Sequence, residues 1–311
     1  MGTILYTHAD CFGHDPGRMH PEHPARLKAV LTALSADEFS GLDRREAPKA
    51  TVDQVARAHP RDYVDAILEA VPETGERSID GDTIMSPGTG DAILRCAGAV
   101  CAAVDAVLGG EAENAFCAMR PPGHHAEPRT PMGFCFFNQI AVGAEHARTV
   151  HGLRRVAIVD FDVHHGNGTQ GIFYERGDVL TVSLHGDPAT YYPFFTGFAN
   201  ETGEGDGAGC NVNYPLPQGT GDDAYMDVLA DALESVAAFK PDVLVVALGL
   251  DASEADPLAF CKVTTEGFRR MGRTISEAGY PSLLVQEGGY ISDQLGDNLA
   301  AFLDGFEGVR G

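Results

Sequence analysis

The chain has 311 residues, 44% hydrophobic and 22% charged, with a formal net charge of −23 at pH 7. This is the composition of a globular protein able to bury a large core, and the acidic balance excludes a nucleic-acid binder, which needs a basic footprint. No apolar run approaches the length of a membrane span, and no basic segment followed by an apolar one marks a signal peptide.

In chain order, residues 4–6 read as a strand, and 24–34, 52–58, 62–70 and 91–108 as helices. Thr51 with Gln54 has the form of a capping box. Then come a strand at 115–119, a helix at 139–150, strands at 156–160 and 179–184, and a helix at 222–239 with Asp222 as a plausible N-cap. A strand at 243–248, a helix at 266–278, a strand at 283–286 and a helix at 297–302 complete the chain. Neither an internal repeat nor a linker divides it, so one domain over 1–311 is expected. The alternation implies an α/β fold, with a mostly parallel central sheet and helices on both faces. The seven cysteines are scattered with no Cys-x-x-Cys spacing, which excludes a zinc knuckle or a redox motif. Unpaired thiols suggest a reducing compartment and a cytoplasmic protein.

Nearly every expected strand runs into a polar cluster. The strand at 115–119 leads to Arg120-Pro-Pro-Gly-His124-His125. That at 156–160 leads to Asp160-Phe-Asp162-Val-His164-His165-Gly-Asn167-Gly-Thr169. The next ends at His185, the next at Gly249-Leu-Asp251, and the last at Glu287-Gly-Gly-Tyr290. Ligands bind outside the carboxyl ends of parallel strands, so these segments converge on one edge.

Alternation along an extended backbone puts Asp160, Asp162 and His164 on one side. Asp162, His164 and Asp251 are candidate metal ligands; three protein ligands leave a position open for water. Two carboxylates with one imidazole suit zinc and do not discriminate strongly against iron(II). Read alone, Asp251 would equally suit a helix cap. His124 and His125, beside a rigid Pro-Pro-Gly turn, are candidates for acid–base work. The phenol of Tyr290 is a candidate donor to an oxyanion. The segment after Asn167 lacks the Lys-Ser/Thr of a phosphate loop, which excludes nucleotide binding. The glycines between 202 and 209 read as a mobile loop. Tyr191-Tyr192-Pro-Phe-Phe195 would either line a channel or pack.

Together these blocks, with His20-Pro-Glu-His-Pro-Ala-Arg26, Gly133-Phe-Cys-Phe-Phe-Asn138 and Ser183-Leu-His185, resemble the zinc-dependent histone deacetylase family. The likeness is to its bacterial, class II-like amidohydrolase members and spans essentially the whole chain. The resemblance implies an arginase/deacetylase-type fold. It implies zinc on Asp162, His164 and Asp251, with His124 and His125 as the tandem histidines. Asp160 stands behind His124 and Asn167 behind His125, where other members carry aspartate. Tyr290 matches the oxyanion-stabilising tyrosine. A structural potassium ion is implied at Asp160, Asp162 and Ser183, with carbonyls including those of His164 and Leu184. Phe134 and Tyr192 match the walls of an acyl-lysine tunnel, with Leu258 beside it.

The implied reaction is metal-assisted hydrolysis that releases acetate from an amine. Two substrate classes share these residues: acetylpolyamines or similar small cationic amides, and acetyl-lysine in peptides or proteins. The net charge favours the first, with Glu22, Asp82, Glu127 and Asp187 as acidic rim candidates. The 72–87 segment is too short for the dimer-building insertion of acetylpolyamine amidohydrolases, and Leu258 stands where polyamine-selective animal relatives carry glutamate. A homo-oligomer stays open. A non-catalytic acyl-ligand binder would lack a ligand, a tandem histidine or the tyrosine, and all are present. A binuclear manganese ureohydrolase would need a different Asp/His pattern.

Overall fold

The computed structural model describes residues 2–258 and 260–308. Its strands are β1 (Ile4–Thr7), β2 (Asp43–Glu46), β3 (Arg77–Ser78), β4 (Ile84–Met85), β5 (Asn114–Cys117), β6 (Val156–Asp160), β7 (Val179–Gly186), β8 (Asn211–Leu216), β9 (Val243–Leu248) and β10 (Ser282–Gln286). The helices are α1 (Ala25–Ala33), α2 (Val52–Val55), α3 (Arg61–Ala70), α4 (Thr89–Leu108), α5 (Gln139–Thr149), α6 (Asn167–Phe173), α7 (Asp222–Phe239), α8 (Thr265–Glu277) and α9 (Leu295–Glu307).

Eight strands form one parallel sheet in the order β2-β1-β5-β10-β9-β6-β7-β8. Every residue of β5, β6, β7, β9 and β10 is buried. Side chains alternate between faces, so total burial requires cover on both sides. Helices supply it, as expected for parallel sheets. The five buried strands are neighbours, which brings the segments after β5, β10, β9 and β6 side by side.

The elements not legible in the sequence, β2, β3, β4, β8 and α6, are all short, seven residues or fewer. β2 reads Asp-Arg-Arg-Glu and is an edge strand held by its register with β1 alone. β8 closes the opposite edge, and β3 pairs with β4 as a small hairpin apart from the main sheet. The glycines of α6 hide it among loop signals. Gly168 is required there, since a Cβ would lie 2.2 Å from the carbonyl oxygen of Ala126. Thr51 and Gln54 form the expected capping box. Asp222 does not cap α7. Gly221 holds that position, while Asp222 accepts hydrogen bonds from the backbone and hydroxyl of Thr264. The 202–209 glycines form a hydrogen-bonded turn: Glu204 N donates to Tyr174 O at 2.9 Å and Gly209 N to Thr202 O at 2.7 Å. The described cysteines are free, and all but Cys210 are buried. No described helix is long and apolar enough to cross a membrane.

His59 packs against the segment that follows the histidine pair at 124–125, at Pro128 and Asn138. Its Nδ1 pairs with Pro128 O at 3.2 Å and its Nε2 accepts from Asn138 N at 2.9 Å. That arrangement needs the neutral ring, and burial pushes its pKa down to about 4. Protons then bind the unfolded chain preferentially below pH 6.5. The native state should lose on the order of 2–3 kcal/mol from this group as pH falls from about 6.5 to 4. The stability gap between wild type and His59→Leu, measured by urea unfolding, should therefore narrow over that window. A gap independent of pH would refute it.

Candidate active site

Beyond the end of β6 the chain passes Asp162 and His164, and beyond β9 it reaches Asp251. His164 Nδ1 lies 3.1 Å from Asp162 Oδ1 and 3.1 Å from Asp251 Oδ2. One donor atom from each of the three residues falls within 4.8 Å of the others. Asp251 is no helix cap: its Oδ1 accepts from Val163 N at 2.9 Å. Asp162 Oδ2 accepts from Gly288 N at 2.7 Å. Both carboxylates are fully buried. Burial, together with the facing charge of Asp162, pushes Asp251 up to about 7. Two buried carboxylates aimed at one imidazole are tolerable when a cation sits among them. The backbone leaves room for this: a Cβ at Gly288 would lie 2.2 Å from Asp251 Oδ2 and 2.3 Å from Asp162 Oδ2. The donor set thus fits a divalent metal.

The tandem histidines sit on the loop after β5. His124 Nδ1 lies 2.9 Å from Asp160 Oδ2, and His125 Nδ1 lies 2.7 Å from Asn167 Oδ1. Their environments push them apart. Burial opposes charge on His124, but the carboxylates of Asp162 and Asp160 outweigh it and raise its pKa. Burial and the neighbouring His124 and His164 drive His125 well down. The loop is held by Glu287, whose Oε2 accepts from Gly123 N at 2.6 Å and His124 N at 3.0 Å. Gln139 Nε2 donates to its other oxygen at 3.0 Å. Glu287 had no task assigned from the sequence; a carboxylate just beyond the apolar run Leu283-Leu284-Val285 was the available signal.

Tyr290 is buried, with the Arg26 guanidinium 4.7 Å from its ring centroid and its backbone N donating to Asp256 Oδ2 at 2.7 Å. Burial holds its phenol well above the usual range. Tyr290, His125 and His164 line a cavity of about 510 Å³ whose other walls include Phe134, Tyr191, Tyr192, Phe194 and Leu258. Of the aromatic run at 191–195, the first two tyrosines and Phe194 therefore line the channel, while Phe195 borders a separate surface groove. Phe134 has φ 70°, a conformation that costs a bulky residue on the order of 1–2 kcal/mol and aims its ring into the channel.

The four acidic rim candidates separate. Asp82 lines the channel. Glu22 is fully buried, bonded to Arg120 at 2.7 and 2.5 Å, to Arg26 at 3.0 Å and to His14 at 3.2 Å. It braces the floor and is no part of a rim. Arg26 also donates to the carbonyls of Gly289 and Glu287, both at 2.5 Å. Glu127 points to Asn167, and Asp187 turns back to accept from Ala189 N at 2.9 Å. Asp160 and Ser183 are register partners on β6 and β7 and line a small enclosed cavity of about 10 Å³. Ser183 Oγ pairs with His185 Nδ1 at 2.8 Å.

A model described as the histone deacetylase domain matches residues 20–306. The histone deacetylase-like amidohydrolase of Pseudomonas aeruginosa is 41% identical over 296 residues, covering 93% of this chain and 77% of that protein. The acetylpolyamine amidohydrolase of Burkholderia pseudomallei is 37% identical over 343 residues, covering 99% and 100% respectively. The crystal structure of acetylpolyamine aminohydrolase from that organism superposes with a TM-score of 0.90 at 35% identity, over 98% of each chain. The HDA15 HD domain gives 0.92 at 32% identity, over 99% of this chain and 90% of that one. An α/β fold of this form, a metal-ready Asp-His-Asp cluster and a match over nearly the whole length make this chain a member of the histone deacetylase family, a hydrolase of linear amides.

Proposed function

We propose that the protein is a zinc-dependent deacetylase of small cationic amides of the acetylpolyamine class. The observation that carries the hydrolytic reading is the placing of Asp162, His164 and Asp251 beside a narrow aromatic channel that His125 and Tyr290 also line. Zinc, or iron(II), held by Asp162, His164 and Asp251 would polarise the amide carbonyl and acidify a water. Asp160, Asp162 and Ser183, with the carbonyls of His164 and Leu184, would hold a potassium ion beneath.

The chain's own groups divide the remaining work. Nδ1–H of His125 donates to Asn167, so Nε2 carries the lone pair and accepts the proton of the attacking water. Protonated His125 then passes that proton to the departing amine nitrogen. The Tyr290 phenol, kept protonated by burial, donates to the carbonyl oxygen as it gains charge. His124, paired with Asp160, adds positive potential at the same place.

For the substrate, the apolar walls suit a methylene chain, and Asp82 offers a carboxylate to a second ammonium group. The net charge of −23 would draw such cations in. Relatives named acetylpolyamine amidohydrolases support the same class. The test is kinetics of the zinc-loaded protein on acetylputrescine, acetylspermidine and an acetyl-lysine peptide. The polyamines should have the higher kcat/KM, and Asp82→Asn should raise KM for acetylspermidine while sparing the peptide. A preference for the peptide would move the function to protein deacetylation, and no turnover on any of the three would overturn the acyl assignment.

A further inference from the structure

We infer that Glu127 is a positioning residue that locks the Asn167 side-chain amide and, through it, the tautomer of His125. The inference rests on the reading of His125 as the proton acceptor. Asn167 Nδ2 faces three acceptors: Glu127 Oε1 at 3.0 Å, Met132 Sδ at 3.3 Å and His125 O at 3.4 Å. Its Oδ1 faces His125 Nδ1 at 2.7 Å. Rotating the amide by half a turn would set its oxygen against three acceptors and its NH₂ against His125 Nδ1. The ring would then need its proton on Nε2, where it cannot accept another. An asparagine, unlike an aspartate, has a wrong way round, so a residue must choose.

Glu127 is the charged acceptor of the three and so the strongest. Its position is set by an anchored loop. Glu127 N donates to Thr130 O at 3.0 Å, and the next carbonyl, that of Pro128, pairs with His59 Nδ1 at 3.2 Å. Glu127 and Asn167 both border a surface groove of about 680 Å³, whereas Glu127 is not among the residues lining the catalytic channel. Its influence therefore falls on turnover and not on substrate binding.

The experiment compares kcat, KM and melting temperature for wild type, Glu127→Ala, Glu127→Gln, Glu127→Lys and Asn167→Asp. Each Glu127 variant is also built on Asn167→Asp. Glu127→Ala should lower kcat about 10- to 100-fold, as loss of an outer hydrogen-bond partner does, with KM nearly unchanged. Glu127→Gln, whose Oε1 still accepts from Nδ2, should recover most of it. Glu127→Lys, which presents a donor instead, should be at least as slow as alanine. With aspartate at 167 both oxygens accept, nothing remains to be locked, and the Glu127 substitutions should cost no further turnover. The same loss in both backgrounds, or glutamine no better than alanine, overturns the inference. Should Glu127→Ala not fold, glutamine faster than lysine supports the inference and equal rates overturn it. His125→Ala separates the layers. If it retains turnover, the proton-acceptor reading has failed; if it is inactive while Glu127→Ala matches wild type, only the role of Glu127 has.

Discussion

Asp251→Asn should lower kcat/KM by at least about 10³-fold, on the scale of losing the activating centre, and should abolish zinc uptake measured by elemental analysis. The substitution keeps the shape of the side chain, and its Oδ1 can still accept from Val163 N. What it removes is one of two buried charges that face His164 from 3.1 Å. Wild type should be stabilised by added zinc, by about 4 kcal/mol at a thousandfold excess over Kd, and the variant should not. At pH 8 the metal-stripped variant should melt above the metal-stripped wild type, because the repulsion between Asp251 and Asp162 is gone. Retained zinc with retained turnover would remove Asp251 from the metal site. A stripped variant that melts lower would mean that the pair is stabilising without a cation.

Tyr290→Phe should lower kcat by about 10²–10³, the effect of removing one preorganised donor from an oxyanion site, with KM and zinc content nearly unchanged. The ring is already held without its hydroxyl. Arg26 stacks on it at 4.7 Å, and the backbone N is tied to Asp256 at 2.7 Å. Phenylalanine therefore keeps the channel wall and deletes only the donor. The hydroxyl acts on charge that appears during the reaction, which is why the loss belongs in kcat. A loss of less than about tenfold would assign the carbonyl's stabilisation to other groups.

The regions where sequence reading failed share a cause. β2 is built of charged residues whose strand identity comes from pairing with β1, and β8 is likewise defined by its neighbour β7. α6 contains glycines that local propensity counts against a helix, yet the packing under Ala126 O demands Gly168. Glu22 looked like a surface acid because charge alone says nothing of depth. Arg26 stands only four residues on, but Arg120, which holds Glu22 by both carboxylate oxygens, comes from 98 residues away. Asp222 looked like a cap because its own helix was visible and its partner Thr264 was not.

The sequence by itself determined the alternation of strands and helices, the parallel sheet, and the identity of the residues that gather at its edge. Those signals are local: apolar runs of strand length, each ended by a polar cluster, are legible within a few residues. Tertiary structure alone decided which carboxylate does what. It set Asp82 in the channel, buried Glu22 beneath it and turned Glu127 toward Asn167. It also drew His124 and His125, adjacent in the chain, in opposite directions: Asp162 and Asp160 raise the first against its burial, while burial and the neighbouring His124 and His164 lower the second. Burial and the charge of neighbours fix these properties, and both depend on side chains that meet from 36 residues apart at His124 and Asp160 to 98 apart at Arg120 and Glu22.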